Sequence, residues 1–246
     1  MSLGPLPLAG TFHELSVGVH DVRGAVEFYE RLGFSQASTT DTFTHPYGVL
    51  TDGRLYVGVH QRTGASPVLT FVRPGIAGSV AAFAAAGIHL TRRHTGEEVF
   101  NEIAFTDPFG QEVAVLEART YSPVARKDTD VSLCGDFAEL SLPAHDFSVA
   151  QTFWEPLGFV AAEESPAPYP HLTLTSDHLD LAFHPPQVCP RPMLVFRAAD
   201  MPARLERLGA LGFELTRPPA QLEGSVGNAL LEGPGDIPLL LLEGTD

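Results

Sequence analysis

The sequence predicts an α+β protein: four βαβββ units arranged as two half-open, eight-stranded cups with the helices outside. Three observations lead there. The chain repeats itself, with Glu14 and Glu139, Phe28 and Phe153, and Gly87 and Gly212 all standing 125 residues apart. Within each copy the order strand, helix, three strands occurs twice. A turn, Asp107-Pro108-Phe109-Gly110 in the first copy and Pro234-Gly235 in the second, precedes the last strand.

The elements follow in order. Residues 14–19 alternate as a strand does. Asp21 then opens a helix whose Ala25, Phe28, Tyr29 and Leu32 fall on one apolar face. Gly33 stands where a helix C-terminal glycine belongs. Strand-like runs follow at 35–40, 48–51 and 55–60. The unit restarts with a strand at 68–72 and a helix marked by Val80, Phe83 and Ala84 that ends at Gly87. Strands near 90–92, 103–106 and 112–117 complete it. The second copy places its helices over 147–157 and 201–211. Two domains result, 11–118 and 136–244. They are joined by a linker, 119–135, that contains Arg126-Lys127-Asp128-Thr129-Asp130. Residues 1–10 read as a Pro/Gly lead.

Composition narrows the function classes. A net charge of −15 argues against a nucleic-acid partner, which needs clustered Lys and Arg, and suits a cationic small molecule. Two cysteines, Cys134 and Cys189, make no disulfide framework, so a reducing, cytoplasmic setting is expected. No apolar run approaches 18 residues, so no membrane partner is expected. Four units complete two cups in one chain, which is compatible with a monomer or a homodimer.

The order of units, the aromatic-aromatic-Glu-x-Leu-Gly-Phe helix end (Phe28 to Phe34, Phe153 to Phe159) and the Asp-Pro-Phe-Gly hairpin resemble the vicinal oxygen chelate superfamily. That group includes glyoxalase I, extradiol ring-cleavage dioxygenases, and bleomycin and fosfomycin resistance proteins. In its metal-dependent members, ligands come from the first and last strands of each unit. The resemblance carries those places onto Glu14 and Val57, Pro67 and Ala114, Glu139 and Leu181, and Pro192 and Leu240. Each cup then keeps one carboxylate among apolar residues, which is no set of ligands for a divalent ion. No cofactor is therefore expected, with an atypical divalent metal site as the alternative.

Glu14 and Glu139, at the same place in both copies, are the candidate catalytic or ligand-pairing carboxylates, because burial in an apolar cup tunes them for proton transfer or for a cation. Ser16 and Ser141 follow on the same strand face. Tyr47 and His171 stand near the cup mouths beside His45 and Tyr169. Val57, Leu181, Leu69 and Leu194 complete the expected ligand-binding lining. His60 and His184, three residues past Val57 and Leu181, alternate to the helix-facing side. His20-Asp21 and His145-Asp146 read as helix-cap chemistry. Tyr29 and Trp154 read as core. The expected partner is a small molecule, bound without a metal. A glyoxalase- or dioxygenase-type enzyme and a ligand-free scaffold are the alternatives. Which units share a cup is left open.

Overall fold

The computed structural model describes residues 7–38, 43–118, 132–218 and 228–244. The charged linker segment lies outside them. The first repeat runs β1 Thr11–Gly18, α1 Val22–Arg31, β2 Ser35–Gln36, β3 Tyr47–Thr51, β4 Tyr56–His60, β5 Val68–Arg73, α2 Ile76–Ala85, β6 Leu90–His94, β7 Glu102–Thr106 and β8 Glu112–Glu117. The second runs β9 Asp136–Pro143, α3 Phe147–Trp154, β10 Val160–Ser165, β11 His171–Thr175, β12 Leu181–His184, β13 Met193–Ala198, α4 Met201–Ala210, β14 Leu215–Thr216, β15 Ala229–Glu232 and β16 Pro238–Glu243.

Each repeat forms one eight-stranded sheet, ordered β2-β3-β4-β1-β5-β8-β7-β6 and β10-β11-β12-β9-β13-β16-β15-β14. Unit one therefore joins unit two, and unit three joins unit four, through the antiparallel pairs β1–β5 and β9–β13. Within each unit the first and last strands run parallel, as β1–β4 and β5–β8 show. Parallel neighbours need a crossover, and the helix supplies it.

The helices start and stop for local reasons. Asp21 caps α1 by accepting from the Gly24 amide at 3.0 Å, and Asp146 caps α3 by accepting from the Ser148 and Val149 amides. Both side chains satisfy amides that lack an intrahelical partner. Gly33 and Gly158 follow the unit-one and unit-three helical segments with φ of 93° and 108°, a left-handed backbone that glycine adopts at no steric cost. The α2 terminus is capped from far away in sequence: the Glu117 carboxylate accepts from the Gly75 and Ile76 amides.

The helix-facing sides of both sheets share one apolar core, which includes Leu15, Val17, Val57, Val59, Leu69, Leu140, Leu181 and Leu194. Aromatic pairs cross between the repeats. Phe28 meets Phe213, Phe34 meets Phe196, Phe71 meets Phe159 and Phe105 meets Phe153, with centroids 5.6 to 6.4 Å apart. Arg31 extends the seam. Its guanidinium lies 4.4 Å over the Phe213 ring and donates to the Leu211 carbonyl at 2.7 Å. Tyr29 and Trp154 are fully buried, as expected of core residues. No helix among the described residues is long and apolar enough to cross a membrane.

Candidate functional site

Strand pairing decides which side chains share the cup face, the face away from the helices. In the first repeat Glu14 lies opposite Thr70, which pairs with Ala114, while Ser16 lies beside Gly58 and Gly18 beside His60. Those residues line the first cup with Tyr47 and Val49 from β3. Leu15, Val57 and Leu69 form the adjacent row and enter the core.

Glu14 is 3% exposed and anchors a hydrogen-bonded chain. Its Oε1 accepts from the Ser16 hydroxyl at 2.6 Å and from His60 Nε2 at 2.9 Å. The Ser16 proton is thereby committed to Glu14, so the Thr70 hydroxyl, 2.8 Å away, donates to Ser16. The other ring nitrogen, His60 Nδ1, hydrogen-bonds His45 Nε2 at 3.1 Å. Tyr47 stacks on His60 at 10° between planes, and Phe43 meets it edge-on at 4.8 Å. Burial alone pushes the Glu14 carboxyl up, but the hydrogen bonds from His60 and Ser16 outweigh it and hold the group below its ordinary range. Burial, then the neighbouring His60 and Arg62, push His45 down. Arg62, half-buried, donates to the Ser16 carbonyl at 3.3 Å and faces Glu112 and Glu14.

The second cup uses equivalent residues differently. Ser141 donates to His184 Nδ1 at 2.7 Å, and His184 Nε2 donates to the Cys189 carbonyl at 2.9 Å. Glu139 Oε2 accepts from Thr173 at 3.0 Å, while its buried Oε1 has no hydrogen-bond partner. Burial pushes the Glu139 carboxyl up, against the opposing pull of His171, Thr173 and Arg197. His171 lies on this face and donates through Nδ1 to the Tyr169 carbonyl. Tyr169, Val188, Cys189, Met193, Val195, Leu240 and Leu242 pack into a separate apolar cluster on the cup side. The second cup is thus filled by the chain's own side chains.

Four expected lining residues are corrected here: Val57, Leu69, Leu181 and Leu194 face the helices, not the cups. His60 and His184 are corrected the other way, since both lie on the cup face beside the glutamates. A one-residue error in phase exchanges the two faces of a strand. Gly58 was the signal: a glycine inside a strand marks a close approach by another group, here the Glu14 carboxylate. Glu14, Glu139, Ser16, Ser141, Tyr47 and His171 do reach the cups. An open cleft of about 860 Å³ lies apart from them, between the repeats, lined by Asp21, Phe28, Arg62, Arg191 and Pro234 among others.

Several solved structures share this architecture. A catechol 2,3-dioxygenase superposes with a TM-score of 0.58 at 12% identity, over 96% of this chain and 92% of that one. The Mn(II)-bound glyoxalase from Novosphingobium aromaticivorans gives 0.58 at 15%, over 94% and 80%. A mutant homoprotocatechuate 2,3-dioxygenase from Brevibacterium fuscum gives 0.62 at 13%, over 97% and 72%. The chain has the vicinal oxygen chelate fold. No family model and no curated protein sequence matches it.

A divalent ion such as the Mn(II) of that glyoxalase needs several converging donors. Across the first cup Glu14 faces Thr70 and Ala114, and its Oε1 already holds Ser16 and His60. In the second cup Glu139 pairs with Val195, which pairs with Leu240. Among the described residues no group of three or more His, Cys, Asp or Glu is placed to hold a metal ion. These residues do not fit a divalent centre of three or four N or O ligands.

Proposed function

We propose that this chain binds a small organic molecule in its first cup, mostly apolar and bearing one cationic or hydrogen-bond-donating group. The observation that carries this reading is the buried, ionised Glu14, held between Ser16 and His60 on the cup face. Val49, Val68, Val72 and Ala114 supply apolar surface around the carboxylate. Such a face, apolar with few convergent polar groups, is what small-molecule sites use. The net charge of −15 favours a cationic group further.

A thermal-shift screen of small amines and neutral donors tests it. A specific ligand at a hundredfold excess over its Kd stabilises by about 2.7 kcal/mol. The expected result is a hit whose stabilisation disappears in Glu14→Gln. Hits that persist unchanged in Glu14→Gln, or elemental analysis showing an equivalent of manganese, iron or zinc per chain, overturn the reading.

A second reading has one observation in its favour. The Glu14–His60–His45 chain leads from the buried carboxylate to the partly exposed His45, a route for a proton to solvent. Under it, Glu14 is a general base, and its variant loses ligand hydrogen–deuterium exchange while keeping affinity.

A further inference from the structure

The two cups hold the same Glu-Ser-His trio, Glu14, Ser16 and His60 against Glu139, Ser141 and His184, yet they wire it differently. In the first, His60 pairs with Glu14. In the second, His184 pairs with Ser141, and Glu139 turns to Thr173. The backbone does not explain this. The register is the same in both repeats, with Ser16 beside Gly58 and Ser141 beside Ala182, and Gly18 beside His60 and Pro143 beside His184.

The difference lies at the residue between the strands. The Glu14 carboxylate lies directly over Gly58: a Cβ there would stand 2.5 Å from the carboxyl carbon, well inside van der Waals contact. The equivalent residue in the second repeat is Ala182, which carries that methyl group and is fully buried. A carboxylate cannot occupy the same space. Glu139 reaches instead for Thr173, whose counterpart in the first repeat is Val49, and the serine left without its carboxylate donates to the histidine. Thr70, which supports Ser16 in the first cup, is replaced by Val195.

We propose that Gly58 is the positioning residue that forms the Glu14–His60 pair, and that the methyl of Ala182 withholds this pair from the second cup. The inference rests on the first-cup reading for its functional meaning. Gly58 then decides which of two duplicated cups carries an ionised carboxylate paired to an imidazole. The second cup, with Val188 and Cys189 packed into it, serves as structure.

The test is Gly58→Ala in the full chain, read by ring 15N shifts of the histidines and 13C carboxyl titration of the glutamates. Neither readout needs a ligand. The expected result is a folded protein in which His60 changes its ring shifts and the Glu14 midpoint rises by roughly one unit or more, because burial remains and the histidine hydrogen bond is gone. Unchanged His60 shifts and an unchanged Glu14 midpoint overturn the proposal. Should Gly58→Ala fail to fold, the reciprocal variant, Ala182→Gly with Thr173→Val, decides. His184 is expected to gain Glu139 as a partner, with its midpoint raised by roughly one unit or more; an unchanged His184 overturns the proposal. Ligand affinity measured in the same variants reports separately on the first-cup reading. Rewired histidines with no ligand for the native chain uphold the role of Gly58 and sink the binding function.

Discussion

Trp154 Nε1 donates to Asp107 Oδ2 at 3.4 Å, joining the end of α3 in the second repeat to the turn between β7 and β8 in the first. The same aspartate shapes that turn, since its Oδ1 accepts from the Phe109 and Gln111 amides. A residue that folds one hairpin thus also holds the neighbouring repeat. Trp154 is fully buried and packs edge-on against Phe159 at 5.2 Å.

This contact predicts that the repeats unfold together. Trp154 is the single tryptophan of the chain, so its fluorescence reports on the seam alone. Fluorescence and far-UV circular dichroism are expected to give coincident urea transitions. Trp154→Ala should cost about 3–5 kcal/mol through the cavity it leaves. A fluorescence transition well ahead of the loss of secondary structure would show that the seam opens independently.

His60→Ala removes the principal partner of a buried carboxylate. An uncompensated buried charge typically costs about 3–5 kcal/mol, so this variant should lose more stability than Glu14→Gln, which removes the charge itself. The pH dependence follows from the lowered Glu14 carboxyl. A depressed acid stabilises above its unfolded pKa and loses that contribution as pH falls through the folded one. The stability gap between native chain and Glu14→Gln should therefore narrow on acidification below about pH 4. Denaturant midpoints across that range measure it, and a gap that widens on acidification contradicts the pairing.

His184 gives the complementary pH signature. Burial pushes its imidazole down to about 4. Between there and the unfolded value near 6.5 the unfolded chain binds the extra proton, so stability rises with pH across that window. The full effect is about 3 kcal/mol. Glu139, raised by burial, acts in the opposite sense. The test is therefore the difference between the native chain and His184→Gln, which should grow from pH 4 to about 6.5. A flat difference would refute the neutral buried imidazole.

Cys134 should resist alkylation in the folded chain. It is fully buried, and that burial raises its thiol to about 12, leaving almost no thiolate at neutral pH. Peptide mass spectrometry after iodoacetamide treatment should show Cys134 unmodified until denaturant is added. Native-state labelling at the rate of a free thiol would contradict its placement.

The fold was legible because its signals are local or repeated. The caps at Asp21 and Asp146, the glycines at 33 and 158 and the Asp107 turn each need only a few neighbouring residues to be recognised. Duplication made their order readable twice. The glutamates and serines of the cups were legible for the same reason, being kept in both copies.

Strand phase and pairing were not. Residues 55–60, Leu-Tyr-Val-Gly-Val-His, carry large side chains on both faces, because one face packs on helices and the other lines a cup. Where both faces are buried, the alternation that marks phase fades, and counting on from Val57 puts His60 on the wrong side. By itself the sequence determined the units, their order and the residues available to each cup. Only the tertiary structure decided that β1 pairs with β5, that the histidines join the glutamates, and that Glu14 and Glu139 take different partners. Those outcomes depend on contacts between residues tens of positions apart, where one methyl group at residue 182 changes which atoms can meet.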